Sequence, residues 1–161
     1  MILNVQNGVL IMSHNQLTTW VLTLNSNDCR IYKLSEKPYQ LILLKEIQHP
    51  ESKLRDIELT SDKPGRYEAA DLAHGAFTQP SDPKEIQIED FSRQVAKELN
   101  KDRNIEAYNK LIIIAPPRMN GLLFQHLNKH VKDLVIHNIK NDILNLTEPE
   151  LAEFLHQHMM Q

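Results

Sequence analysis

The side chains able to do chemistry are few and scattered along this sequence. His126 and His130 lie four apart on a stretch with helical spacing, where two imidazoles on one face share a metal ion if a third ligand joins them. No such ligand stands at a suitable distance, so the pair reads as surface or half-buried histidines. His156 and His158 are two apart and leave a helix on different sides. The single cysteine, Cys29, lies in an apolar run, where a thiol is inert. One cysteine forms no intramolecular disulfide, which suits a reducing compartment. Ser61 has no base in its local sequence. A two-metal nuclease needs three or four carboxylates on neighbouring strands around metals about 4 Å apart. The strand-like runs Thr19–Leu24 and Leu111–Ala115 contain no acid. Gly8, Gly65, Gly75 and Gly121 are too dispersed for a dinucleotide or phosphate loop. The residues thus name no catalytic group, no metal site and no cofactor.

What remains is charge. From His49 to Pro80 the hydrophobic periodicity disappears, and a loop of about 30 residues is uncommon in a compact domain unless it is used. Its Lys53, Arg55, Lys63 and Arg66 are balanced by Glu51, Asp56, Glu58 and Asp62. One reading is a solvated loop whose charges pair internally, each pair worth about 0–1 kcal/mol. The other is a recognition loop in which Gly65 permits a tight turn and Arg66 offers its fork to phosphate or carboxylate. Arg118 follows a strand-like run and opens a helix, the place where ligands bind in open α/β sheets. The candidate partner-binding residues are therefore His49, Arg55, Asp56, Asp62, Gly65, Arg66 and Arg118. They converge if the loop folds back across the sheet edge, and it is long enough to return. Lys129, His130, Lys132, His137 and Lys140, offset by Asp133, form a mildly basic stretch without interleaved aromatics, which reads as a solvated face. A net charge of -3 and a pI of 6.2 exclude strong global attraction to nucleic acid or anionic membrane.

These residues must be held by a scaffold, and 161 residues suit one domain. At 41% apolar and 24% charged, the composition is that of a soluble globular protein. Thr19–Leu24 and Cys29–Leu34 flank the turn cluster Asn25–Asp28 and predict a hairpin. After a turn containing Pro38, Leu41–Ile47 predicts a third strand. Asp82-Pro83-Lys84-Glu85 predicts a capped helix start with a capping box. Ile88, Phe91, Val95 and Leu99 follow on one helical face. Leu111–Ala115 reads as an interior strand ended by Pro116-Pro117. Arg118–Lys129 predicts one helix and Leu134–Ile139 a strand. Thr147 and Glu150 form a second capping box, with Leu146 stapled to Leu151 and with Leu151, Phe154 and Leu155 facing inward. The expected fold is α/β: an antiparallel three-strand meander, then αβαβα, in a ribonuclease-H-like mixed sheet.

At the amino end, MILNVQNGVLI has no basic n-region and no cleavage site of a secretory signal. Residues 1–15 read as a leader or flexible N-terminus, with Met1 or Met12 as the start, and residues 16–161 as the single domain. The longest apolar run elsewhere, Leu111–Pro117, is far short of the roughly 20 residues that span a bilayer. No membrane insertion is expected, and the location expected is cytoplasmic.

Five blocks carry a resemblance: Trp20-Val21-Leu22, His49-Pro50-Glu51-Ser52-Lys53-Leu54-Arg55-Asp56, Ser61-Asp62-Lys63-Pro64-Gly65-Arg66, Asp82-Pro83-Lys84-Glu85 and Ala115-Pro116-Pro117-Arg118. Through them the chain resembles, over about residues 18–157, a bacterial family of proteins required for attachment to host cells. That family is similar in fold to the middle domain of archaeal and eukaryotic peptide-release factors. The resemblance implies a non-enzymatic binding protein acting on an unidentified protein partner. The alternative it leaves is a ribosome- or RNA-associated factor, and a third is a hydrolase. Release-factor middle domains use a Gly-Gly-Gln tip on peptidyl-tRNA, and this sequence has no Gly-Gly pair to match it.

Overall fold

The computed structural model describes the backbone of Leu3–Gln6 and Val9–Met12, and residues 17–50 and 82–161 in full. β1 (Leu3–Gln6) and β2 (Val9–Met12) pair antiparallel as a separate two-stranded sheet. The main sheet begins with β3 (Thr19–Leu24), buried at every position. The Asn25 side chain accepts from the Asn27 and Asp28 amides at 2.8 and 2.9 Å. That local hydrogen bonding turns the chain into β4 (Asp28–Glu36), as the turn cluster predicts. β5 (Tyr39–Gln48) completes the meander. Opposite the Ile31–Tyr32 step of β4, β5 carries one extra residue, Leu44, in a bulge.

After α1 (Pro83–Asn104), β6 (Lys110–Ala115) inserts beside β3 and parallel to it. α2 (Pro117–His126) and α3 (Lys129–Lys132) lead to β7 (Val135–Lys140), parallel to β6. α4 (Glu148–Met159) closes the chain. The strand order is β5-β4-β3-β6-β7, an open five-stranded mixed sheet compatible with the ribonuclease-H-like arrangement expected. No helix among the described residues is long and apolar enough to cross a membrane.

Alternation divides the core in two. Trp20, Leu22, Leu24, Leu111, Ile113 and Ala115 face Ile88, Phe91, Val95 and Leu99 of α1, with Met119 and Leu123 of α2 and Val131 of α3. Val21, Ile112 and Ile114 face Leu151, Ala152 and Leu155 of α4. Each large aliphatic side chain buried this way contributes about 1.5–3 kcal/mol. β6 is interior, as its run of apolar residues predicts, because both faces of the sheet are covered.

Two local expectations need correction. The predicted helix Arg118–Lys129 is two helices, broken where Leu127 takes an extended conformation. Asn128 accepts from the Val131 amide at 2.9 Å, so its side chain starts a new helix instead of continuing the old one. At the start of α1, Asp82 caps the Lys84 amide at 3.0 Å, but Glu85 turns to Arg118 and does not close the box.

The second box forms as predicted. Thr147 and Glu150 bond reciprocally at the start of α4, with Leu146 packed in the same apolar cluster as Leu151. The bonds from Thr147 hold the Glu150 carboxyl below its ordinary value. A carboxyl depressed in the folded chain adds stability above its unfolded pKa of about 4.3 and loses it as pH falls through the folded value. The Thr147 backbone amide is the larger cause and its hydroxyl the smaller, so Thr147→Ala should move the Glu150 titration, followed by carboxyl NMR, only part of the way back toward the ordinary range. An unchanged midpoint would show that the hydroxyl does not help to hold that carboxylate.

Candidate functional site

β5 and β6 run in the same direction, since each lies antiparallel to β4 or parallel to β3. His49 and Arg118 therefore emerge at the same end of the sheet, the carboxyl end of β3, β5, β6 and β7. Three strand spacings of about 4.8 Å separate β5 from β6, about 14 Å in all. The first turns of α1 span that interval. The His49 Nε2 donates to the Gln87 carbonyl at 3.0 Å, and the imidazole stands edge-on to Phe91 at 5.2 Å. The His49 amide donates to the Asn27 carbonyl at 2.8 Å. Two residues before Gln87, the Glu85 carboxylate accepts from Arg118, and both side chains are more than half exposed.

Behind Arg118, α2 is pinned to the sheet. Asn120 is buried, and its amide exchanges hydrogen bonds with that of Asn138 on β7. The rim is thus fixed by a histidine on one side and an amide pair on the other, while Arg118 and Glu85 stand in solvent between them. This arrangement offers one planar cation to a partner's carboxylate or phosphate in competition with Glu85.

Of the residues singled out from sequence, the structure places His49 and Arg118 at one end of the sheet. His49 is buried and ties the end of β5 to α1. Arg55, Asp56, Asp62, Gly65 and Arg66 lie outside the described residues. His126 is half-buried, 3.5 Å from Glu89, while His130 is exposed. Among the described residues no three His, Cys, Asp or Glu side chains could hold a metal ion. Burial pushes the Cys29 thiol far up, so it stays protonated and unreactive. His156 meets the Tyr39 ring edge-on and His158 stacks on Phe154, so the two do diverge. Lys129, His130, Lys132, His137 and Lys140 are all exposed.

One constellation escaped the sequence. The Lys45 ammonium reaches both oxygens of buried Asp102, at 2.8 and 2.6 Å, and lies 3.7 Å from Glu98. Asp102 continues the apolar stripe of α1, three residues beyond Leu99, and an acid on such a stripe signals a buried partner. Tyr108 is a smaller omission: it stacks on Trp20 at 4.8 Å and donates to the Leu99 carbonyl at 2.7 Å.

The profile of a family described as protein required for attachment to host cells matches residues 20–155. The chain belongs to that family. The match runs from β3 to the last turns of α4, so it includes both His49 and Arg118. No curated protein matches the sequence. Among solved structures, one called an archaeal protein is similar with a TM-score of 0.47 and 12% identity, over 88% of this chain and 34% of that one. An archaeal translation termination factor is similar with a TM-score of 0.45 and 12% identity, over 89% of this chain and 39% of that one. The chain therefore spans little more than a third of the length of either.

Proposed function

We propose that this member of the host-attachment family is a non-enzymatic binding protein, and that it meets its partner at the carboxyl end of the sheet. Arg118 is the described contact residue, and Arg55, Asp56, Asp62, Gly65 and Arg66 are the contacts proposed from the adjoining segment. The observation that carries this reading is the common direction of β5 and β6. His49, which follows β5, is bonded to Gln87 of α1, and Asp82 caps the same helix, whose Glu85 holds Arg118. On this reading the residues that join these two ends form one surface with the exposed Arg118. His49 serves that surface as an anchor, and Glu85 as a competitor for the guanidinium. The reading places the protein in the cytoplasm, which cell fractionation checks.

The test begins with capture of the partner from the protein's own cells at low and high salt. Arg118→Ala should weaken capture about tenfold or more, since a hydrogen bond to a charged group is worth about 1.5–3 kcal/mol. Glu85→Gln should strengthen it by releasing Arg118. Both variants should keep the melting temperature, because exposed substitutions stay within about ±0.5 kcal/mol. Full capture by Arg118→Ala would remove this surface from the interaction. Turnover of peptidyl-tRNA or RNA that survives purification and is lost in a point variant would replace a binding protein by a hydrolase.

A second reading has one observation in its favour: the exposed basic residues of α3 and β7, Lys129, His130, Lys132, His137 and Lys140. On that reading the protein is ribosome- or RNA-associated and sediments with ribosomes in a strongly salt-dependent way.

A further inference from the structure

The far side of the meander carries a groove that the surface above does not use. β5 is the outer strand of the main sheet, and among the described residues it pairs only with β4. Three consecutive apolar residues near its middle, Ile42, Leu43 and Leu44, are 45%, 40% and 43% exposed. An apolar edge of this kind is a template for a further strand unless the protein blunts it. Here the blunting is confined to one half. The bulge at Leu44 breaks the ladder, and Lys45 turns inward to Asp102. From Tyr39 to Leu43 the edge has neither device.

Beside that half runs α4. Between the strand and the helix lie two cavities of about 450 and 390 Å³, which meet at Glu148 and Pro149. Their floor is apolar, with Leu41 and Ala152 in one and Leu43 and Leu146 in the other. Their walls carry more negative than positive charge. Arg30 is engaged by Glu46 at 2.9 Å and by the Leu144 carbonyl at 3.2 Å. Glu148 and Glu153 have no cation partner among the described residues, and Glu153 accepts only the Gln157 amide at 2.8 Å. His156, the remaining basic group on the wall, stands against Tyr39.

We propose that this groove binds an extended peptide segment that carries lysine or arginine and adds to β5 along Tyr39–Leu43. An edge strand flanked by a helix supplies both parts of such recognition: main-chain hydrogen bonds for affinity and pockets for alternate side chains for selectivity. Alternate residues of an added strand lie about 6.8 Å apart on one face, so one apolar side chain covers Leu41 and Leu43 while its basic neighbour meets Glu148 and Glu153. Glu148 and Glu153 select a basic peptide over a second copy of this chain, because a second β5 edge would bring the same two carboxylates to the seam. The site is independent of the carboxyl-end surface, and either can fail without the other.

The probe is a fluorescent eight-residue peptide of the repeat threonine-valine-threonine-lysine, blocked at both ends, which puts valine and lysine in turn on one face of a strand, and the control carries glutamate in place of each lysine. Polarisation with the full chain should saturate for the lysine peptide and not for the control. The double variant Glu148→Gln/Glu153→Gln should weaken binding about tenfold with an unchanged melting temperature. Amide shifts on binding should fall on residues 39–43 and on α4. Equal binding of both peptides, an unaffected double variant, or shifts confined to the opposite end of the sheet would overturn the proposal. So would a concentration-dependent dimer that leucine-to-lysine exchange at Leu43 abolishes, since the edge would then belong to a second copy.

Discussion

Ile113→Ala will lower the unfolding free energy by about 4 kcal/mol, in the upper part of the range for aliphatic truncation in a core. The side chain is wholly buried, and its strand is paired on both sides, with Leu22 of β3 and Asn138 of β7 as register partners. On its face it packs in the cluster formed with α1 and α2, where two covering helices leave little room for collapse into the space vacated. For a chain of this length the loss corresponds to a fall in melting temperature of about 10 °C. In the parent protein the Ile113 amide should be among the slowest to exchange, because its strand opens only with the whole sheet. Rapid exchange there, or a loss below about 1 kcal/mol in the variant, would contradict the interior position of β6.

The second large effect is expected at Lys45. Lys45→Met leaves Asp102 buried with its charge uncompensated and with Glu98 nearby. Breaking a fully buried pair costs about 3–5 kcal/mol. The Lys45 side chain is 36% exposed while that of Asp102 is 6%, so water screens one partner and the expected loss is about 2–3 kcal/mol. The double variant Lys45→Met/Asp102→Leu should recover most of it, because an apolar pair of similar volume no longer buries a charge. Urea unfolding of the three chains forms the comparison. A single variant as stable as the parent would show that the pair does not bind β5 to α1. The distinction matters for function, because this contact holds the outer strand against the helix whose first turns carry Glu85 and Gln87.

Much of the scaffold is legible in short stretches of chain. The Asn25 turn, the Asp82 cap, the box of Thr147 and Glu150, the stripe Ile88, Phe91, Val95, Leu99 and the apolar run Leu111–Ala115 all rest on interactions within a few residues or on a regular period. Such signals survive in any context, because capping and periodicity act within one or two turns. The blocks through which the chain resembles the host-attachment family, from Trp20-Val21-Leu22 to Ala115-Pro116-Pro117-Arg118, are likewise local. Where local preferences compete, the reading fails. Asn128 favours starting a helix over continuing one, and Glu85 has a better partner in Arg118 than in its own cap.

The sequence by itself therefore determined the fold class, the central strand and the family, since each is written in neighbouring residues. Tertiary structure alone decided that His49 and Arg118 share one end of the sheet, which follows from the order β5-β4-β3-β6-β7. It alone paired Lys45 with Asp102, 57 residues away, and left Tyr39–Leu43 as an open edge beside α4 among the described residues. The physical reason is that strand pairing, ion-pair choice and edge exposure depend on which distant segments come together. An isolated residue type carries the capacity for such a contact but not the address of its partner.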